Sequence, residues 1–391
     1  MTVTPPSGPE RLEHIDALRG FALAAVLLVN LRDLSLYGFL SDKARAALPT
    51  AHWDYIFGSI LAAVIEHKAI TIFTLLFGIS FALQLRRVAV GSGFPIFYIR
   101  RLLVLLIIGV VHGIFWFGDV LRYYAVMGFF LLPARRLRPL TMVVIGLVIA
   151  LFPWTLFYQL NDFFNRNALP SDQIAASALT TFGGSSLSEM VTGNVSYDWS
   201  IRLTKWSFPL AVLGRLFIGA AIGRSDALVE PKEHIRVWLW ILMVTMPIGV
   251  GLTLFASLNA DRTVPLALGP VIRGAASLSL GLAYIAIFIL LFHLPLWRRW
   301  MSPLIAVGRM ALTNYLLQTF VAIILFYGVG FGIGPRFGLI GTLPFFVAIF
   351  VIQIALSRWW LARFYFGPVE WMWRCLSYGS LIPMRKNLQT I

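Results

Sequence analysis

Apolar runs of about twenty residues recur along this chain, and that recurrence limits what it can fold into more than any other feature. Such a run is the length a helix needs to cross a bilayer's hydrocarbon core. The first opens at Gly20 and continues Phe21-Ala22-Leu23-Ala24-Ala25-Val26-Leu27-Leu28-Val29. Further runs cover 54–84 (broken near Glu66-His67-Lys68), 102–118, 120–134, 139–159, 206–223, 236–257, 267–293, 303–328 and 338–358. The pattern predicts an all-α, polytopic membrane protein of about ten transmembrane helices. Composition agrees: of 391 residues 59% are hydrophobic and 13% charged, and mean hydropathy is +0.82. A soluble protein carries roughly a quarter charged residues, so a water-facing surface, a disordered chain, a coiled coil and a collagen are all excluded.

The 32 Lys and Arg against 17 Asp and Glu would suggest nucleic acid in a soluble protein. Here they sit in short connections between apolar runs, so they bear on orientation and no nucleic-acid partner is expected. Arg86-Arg87 with Arg100-Arg101, Arg135-Arg136 with Arg138, Arg224 with Lys232 and Arg236, Arg298-Arg299, and the tail's Arg358, Arg363, Arg374, Arg385 and Lys386 mark every second connection. The positive-inside rule then puts these in the cytoplasm, with both termini, in a bacterial inner membrane. No small-residue cleavage site follows the first run, so a removed signal peptide is not expected. Residues 1–160 and 206–358 form two candidate helix bundles, 161–205 an external connection and 359–391 a cytoplasmic tail. The polar external connection (Thr180-Thr181-Phe182-Gly183-Gly184-Ser185-Ser186) reads either as a tether between bundles or as a lid over an outer site.

Ionisable groups at membrane depth are costly, and each needs a reason. Asp16 and Arg19, three apart at the cytoplasmic mouth of the first span, can pair on a helix. They either anchor the span or hold an anionic ligand. Asn30, Arg32 and Asp33 lie at its outer end, and Glu66-His67-Lys68 interrupts the second span's outer half. His112 is deep in the third span, and Asp119 follows seven residues later at the outer turn, with Tyr123 and Tyr124 beyond. A neutral imidazole oriented by a carboxylate is a general base, although a lone histidine in an apolar helix is often a packing residue. By topology these outer groups converge on one polar cavity built by spans one to four. Arg215, Arg273, Arg309, Asn314 and Gln318 lie inside later spans and read as contacts between helices. Walker A, GxSxG, HExxH and paired metal-ligand spacings are absent. The lone Cys375 matches no zinc or redox spacing, and no metal is expected.

Three stretches carry a resemblance: Ile15-Asp16-Ala17-Leu18-Arg19-Gly20-Phe21, Arg100-Arg101-Leu102 through His112 to Gly118-Asp119-Val120-Leu121, and Gly308-Arg309-Met310-Ala311-Leu312-Thr313-Asn314-Tyr315 followed by Gly367-Pro368-Val369-Glu370-Trp371-Met372-Trp373. In that order they resemble the YeiB-like family of bacterial inner-membrane proteins. Its Asp-x-x-Arg-Gly opening is similar to that of transmembrane acyltransferases of the heparan-α-glucosaminide acetyltransferase type. That resemblance implies transfer of an acyl group from cytoplasmic acetyl-CoA or another acyl-CoA to an outer-side hydroxyl or amine. Asp16 and Arg19 would then help hold the donor, and His112 or His67 would be the participating histidine. On this reading the catalytic candidates are His112, Asp119 and His67, and the substrate-binding ones Asp16, Arg19, Arg32, Lys68 and Tyr123. The alternative is a transporter of a small solute using the same polar cavity. Expected partners are membrane lipid and a small-molecule ligand; the oligomeric state stays open, with a homodimer among the options.

Overall fold

The computed structural model describes residues 12–87, 94–153, 163, 171–204, 207–259 and 268–386. Its elements are helices, with no strand among the described residues beyond an isolated bridge between Phe364 and Arg385. The longer ones are α1 (Glu13–Leu34), α2 (Ala51–Val64), α3 (Lys68–Arg87), α4 (Phe94–Phe115), α5 (Leu121–Gly128), α6 (Pro139–Leu151), α7 (Ser171–Gly183), α8 (Leu187–Thr204), α9 (Phe208–Ile222), α10 (Ile235–Leu258), α11 (Leu268–Phe292), α12 (Pro295–Arg309), α13 (Ala311–Phe326), α14 (Leu343–Arg363) and α15 (Pro368–Tyr378).

The fold class agrees with the sequence, but the count of about ten spans does not. Among the described residues six helical segments are long and apolar enough to cross a membrane: α1, α2 with α3, α4, α10, α11 and α14. A seventh arises if the bent pair α12 and α13 is one span. The excess came from apolar runs that are too short or broken. The run 120–134 becomes the eight-residue α5 and a four-residue turn of helix at Leu131–Ala134. Eight residues rise only about 12 Å. The helices α6 and α9, with 13 and 15 residues, also fall short of the ~20 that a span needs. The end of the expected fifth span, 154–159, lies outside the described residues.

The run at 303–328 hides the largest departure. It holds α12 and α13, which meet at Met310 with an 82° bend. Apolar residues flank Gly308-Arg309 on both sides, so the sequence reads as one run. A carboxylate from elsewhere caps the second helix: Glu370 on α15 accepts hydrogen bonds from Leu312 N at 2.7 Å, Thr313 N at 3.0 Å and the Thr313 hydroxyl. It satisfies the orphan donors at the start of α13 and complements the helix dipole. Burial holds the Glu370 carboxyl above its ordinary value, against hydrogen bonds from Thr313 and Leu312 that lower it.

Helices from the two halves of the chain interleave. The first span, α1, packs against α12, α3 and α13, and α9 lies between α3 and α6. Residues 171–204 of the long connection fold as the pair α7 and α8, of which α8 packs against α4. Asn194 on α8 donates to the Gly113 and Ile114 carbonyls and accepts from Phe117 N at 2.7 Å, closing the C-terminus of α4.

Candidate functional site

The α4 helix ends at Phe115, and a tight turn through Trp116 and Phe117 leads to Asp119 before the chain doubles back as α5. Two glycines one turn apart on α4 allow the return to lie close. A Cβ on Gly109 would stand 2.8 Å from Arg122 N, and one on Gly113 would meet the Arg122 guanidinium. This is the small-xxx-small device of close helix packing in membranes.

The doubling back brings His112 and Asp119 together. His112 Nδ1 lies 2.8 Å from Asp119 Oδ2. The other carboxylate oxygen accepts from Arg122 N at 3.1 Å, capping α5, and from Arg122 Nε at 3.0 Å. Arg122 continues to Asp198 on α8 at 3.0 Å, and Asp198 pairs with Arg202. On the far side of the imidazole, Nε2 is 3.0 Å from the hydroxyl of Thr319 on α13. His112 is 2% exposed, Asp119 1% and Thr319 1%, so the chain of bonds is shielded from water. An Nδ1–H donated to the carboxylate leaves Nε2 as an acceptor for the Thr319 hydroxyl. Hydroxyl, imidazole and carboxylate in series are the parts of an activated nucleophile.

Two aromatic rings flank His112: Trp116 at 5.8 Å and Tyr315 at 5.1 Å between centroids. The Trp116 indole N–H is buried with no hydrogen-bond partner among the described residues. An unpaired buried donor is costly, and this one belongs to a ring that packs against His112.

The other sequence candidates fall into separate surroundings. Arg32 pairs with Glu66 at 3.1 Å and Asp33 at 3.4 Å, and Arg32 and Glu66 line a cavity of about 20 Å³ with Leu61 and Leu339. His67 sits in the turn between α2 and α3 with a positive φ of 62°, a backbone state uncommon outside glycine but tolerated by histidine. Lys68 Nζ donates to the Ala62 carbonyl at 2.8 Å. Asp16 and Arg19 pair at 2.7 Å, and Arg19 also donates to Ser80 on α3 at 2.7 Å. Tyr123 packs edge-on to Phe208 and under the Arg202 guanidinium, 4.7 Å from the ring centre. It joins the His112 network only through Arg202, Asp198 and Arg122. Asn314 and Gln318 bond across to Ser357 and Gln353 on α14, each at 2.9 Å. Sequence reasoning missed Thr319, Trp116, Arg122 and Asp198. Of these only Trp116 and Arg122, within one turn of His112 or Asp119, carried a signal.

Long apolar helices enclosing a buried ionic network define a polytopic helical membrane protein. Residues 222–380 match the family described as "Protein of unknown function (DUF418)". Similarity to curated relatives runs nearly end to end. The uncharacterized protein YxaH of Bacillus subtilis (strain 168) is 29% identical over 97% of each chain. An uncharacterized 39.9 kDa protein from the amylase 3' region of Bacillus acidopullulyticus is 30% identical over 96% of each. The uncharacterized protein YeiB of Escherichia coli (strain K12) is 26% identical over 96% of this chain and 98% of that one. The chain belongs to this DUF418, YeiB-like family. No solved structure matches it.

Proposed function

We propose that this protein is an inner-membrane acyltransferase, with both termini in the cytoplasm, in which Thr319, His112 and Asp119 act as one acid–base unit. The observation that carries the reading is the buried series of bonds from the Thr319 hydroxyl through both nitrogens of His112 to Asp119. His112 takes the Oγ1 proton as Thr319 attacks the thioester carbonyl of an acyl-CoA. The tetrahedral oxyanion accepts from the Trp116 indole N–H. Collapse breaks the carbon–sulfur bond, and His112 returns the proton to the leaving thiolate. An acceptor hydroxyl or amine then gives its proton to His112 and attacks the acyl-threonine; Thr319 leaves and recovers the proton. Asp119 fixes the tautomer and offsets the imidazolium charge. Arg122 holds Asp119 in place.

The test is a rapid quench of purified protein with radiolabelled acetyl-CoA in the absence of acceptor. One acetyl group per chain, mapped to Thr319 by peptide mass spectrometry and absent in Thr319→Val and His112→Ala, supports the reading. Label at the same level in both variants overturns it.

A second reading, transport of a small solute, is favoured by the 82° break between α12 and α13, since discontinuous helices mark binding sites in transporters. Uptake of solute that depends on the protein, without thiol release from acyl-CoA, would select it.

A further inference from the structure

Arg215 occupies the centre of the fifteen-residue α9, about 10 Å from either end. It is 7% exposed. The helix around it is clasped by α3 and α6. Sequence alone reads it as a contact between helices, but the contact is missing. Among the described residues Arg215 takes part in no ion pair, and its Nε has no hydrogen-bond partner. A guanidinium buried without a counter-charge costs several kcal/mol, and in a membrane such a group marks a ligand or ion pathway.

Its titratable neighbour is the phenol of Tyr124 on α5. The hydroxyl of Thr74 on α3 lies 2.7 Å from the Ile70 carbonyl and 3.2 Å from the Tyr124 oxygen. One hydroxyl has one proton, and Thr74 gives it to Ile70. The Tyr124 hydroxyl therefore donates to Thr74, which leaves its oxygen as no more than a neutral acceptor toward the guanidinium. Phe73 and Phe77 stack on the Tyr124 ring at 6.2 and 5.4 Å, holding it in place. Both hydroxyl protons are thereby committed, that of Tyr124 to Thr74 and that of Thr74 to Ile70, so neither group neutralises the Arg215 charge.

We propose that Arg215 anchors an oxyanion-binding site inside the membrane domain, its guanidinium being the group that meets the anion. The ligand carries a carboxylate or a phosphate group, which the guanidinium fork grips by two parallel hydrogen bonds. The inference stands apart from the acyl-transfer reading, because neither His112 nor Thr319 enters it.

The experiment measures thermal unfolding of the full chain in dodecyl maltoside at constant ionic strength. Acetate, inorganic phosphate and phosphatidylglycerol are titrated separately. Stabilisation by a free anion that is lost in Arg215→Gln, with at least about tenfold weaker apparent affinity, supports the site with a soluble ligand. Stabilisation by phosphatidylglycerol alone, again lost in Arg215→Gln, supports the site and assigns its oxyanion to lipid. If Arg215→Gln does not fold, Arg215→Lys keeps the charge but not the fork, and should still bind about tenfold more weakly. An unchanged titration in either arginine variant that folds, or no anion dependence in the wild type with any of the three, overturns the proposal.

Discussion

Replacing Asp119 by asparagine tests how the buried network works as a unit. The carboxylate serves His112 with one oxygen and Arg122 with the other, at 2.8 Å and 3.0–3.1 Å. Asparagine has one oxygen and one amide N–H₂, so it cannot accept on both sides. If its oxygen stays with Arg122, the N–H₂ faces His112 Nδ1. The imidazole must then carry its proton on Nε2, where it faces the Thr319 hydroxyl and no longer acts as its base. If the oxygen turns to His112, the N–H₂ opposes the N–H groups of Arg122. Arg122 keeps Asp198 at 3.0 Å, so its charge is not stranded, and the penalty is that of an unsatisfied buried group, about 1–3 kcal/mol. Loss of a buried ion's last partner would cost more, about 3–5 kcal/mol. Denaturant unfolding measures this cost, and nitrogen chemical shifts of the labelled His112 ring report the tautomer. Thiol release from acyl-CoA should fall on the order of 10⁴-fold, the scale of a wrong tautomer in a hydrolase triad. Asp119→Asn with wild-type stability, an Nδ1–H tautomer and full turnover would refute the reasoning.

Four further outcomes are expected. Glu370→Ala should lower stability by about 1–2 kcal/mol by leaving Leu312 and Thr313 N–H uncapped at the α13 bend, read from the unfolding midpoint. The Glu370 carboxyl is held above its ordinary 4.5 by burial. The folded state therefore binds its proton more tightly, and stability falls as pH rises from about 4.5 through the raised value; Glu370→Gln should remove that dependence. Gly308→Ala places a Cβ against the Asp16 carbonyl of α1 and should cost about 1–3 kcal/mol by overpacking the α1–α12 contact, visible as a lower melting temperature. Ser185→Cys, on the α7–α8 connection, should react with a membrane-impermeant maleimide in intact cells while Cys375 does not; the reverse pattern would invert the orientation.

How much was legible in the sequence depended on whether the signal was local. The spans α1, α4, α10, α11 and α14 are continuous apolar runs, and hydropathy finds them. The α12–α13 bend escaped because Arg309 reads as one charge within an apolar run and the carboxylate that caps α13, Glu370, lies 58 residues from Leu312. His112 and Asp119 were paired from a spacing of seven, two turns of a continuing helix. The helix in fact stops at Phe115, and a turn makes the same pairing. Thr319 is 207 residues from His112; a threonine on an apolar helix looks like any other helix contact until the fold is known. The outer groups expected in one cavity are shared out instead, with Arg32 and Glu66 around one small cavity and His112 in a packed interior. Apolar periodicity does not determine which faces of neighbouring spans meet.

In the proposed acyl transfer His112 moves the protons. The decisive measurement is the steady-state release of free thiol from acetyl-CoA by purified wild-type protein and His112→Ala, both shown to be folded, with a hydroxyl or amine acceptor present. Release by the wild type is expected, with a drop of at least about a hundredfold in the variant. Equal rates in the two, or no release by the wild type with any acyl-CoA, would contradict it.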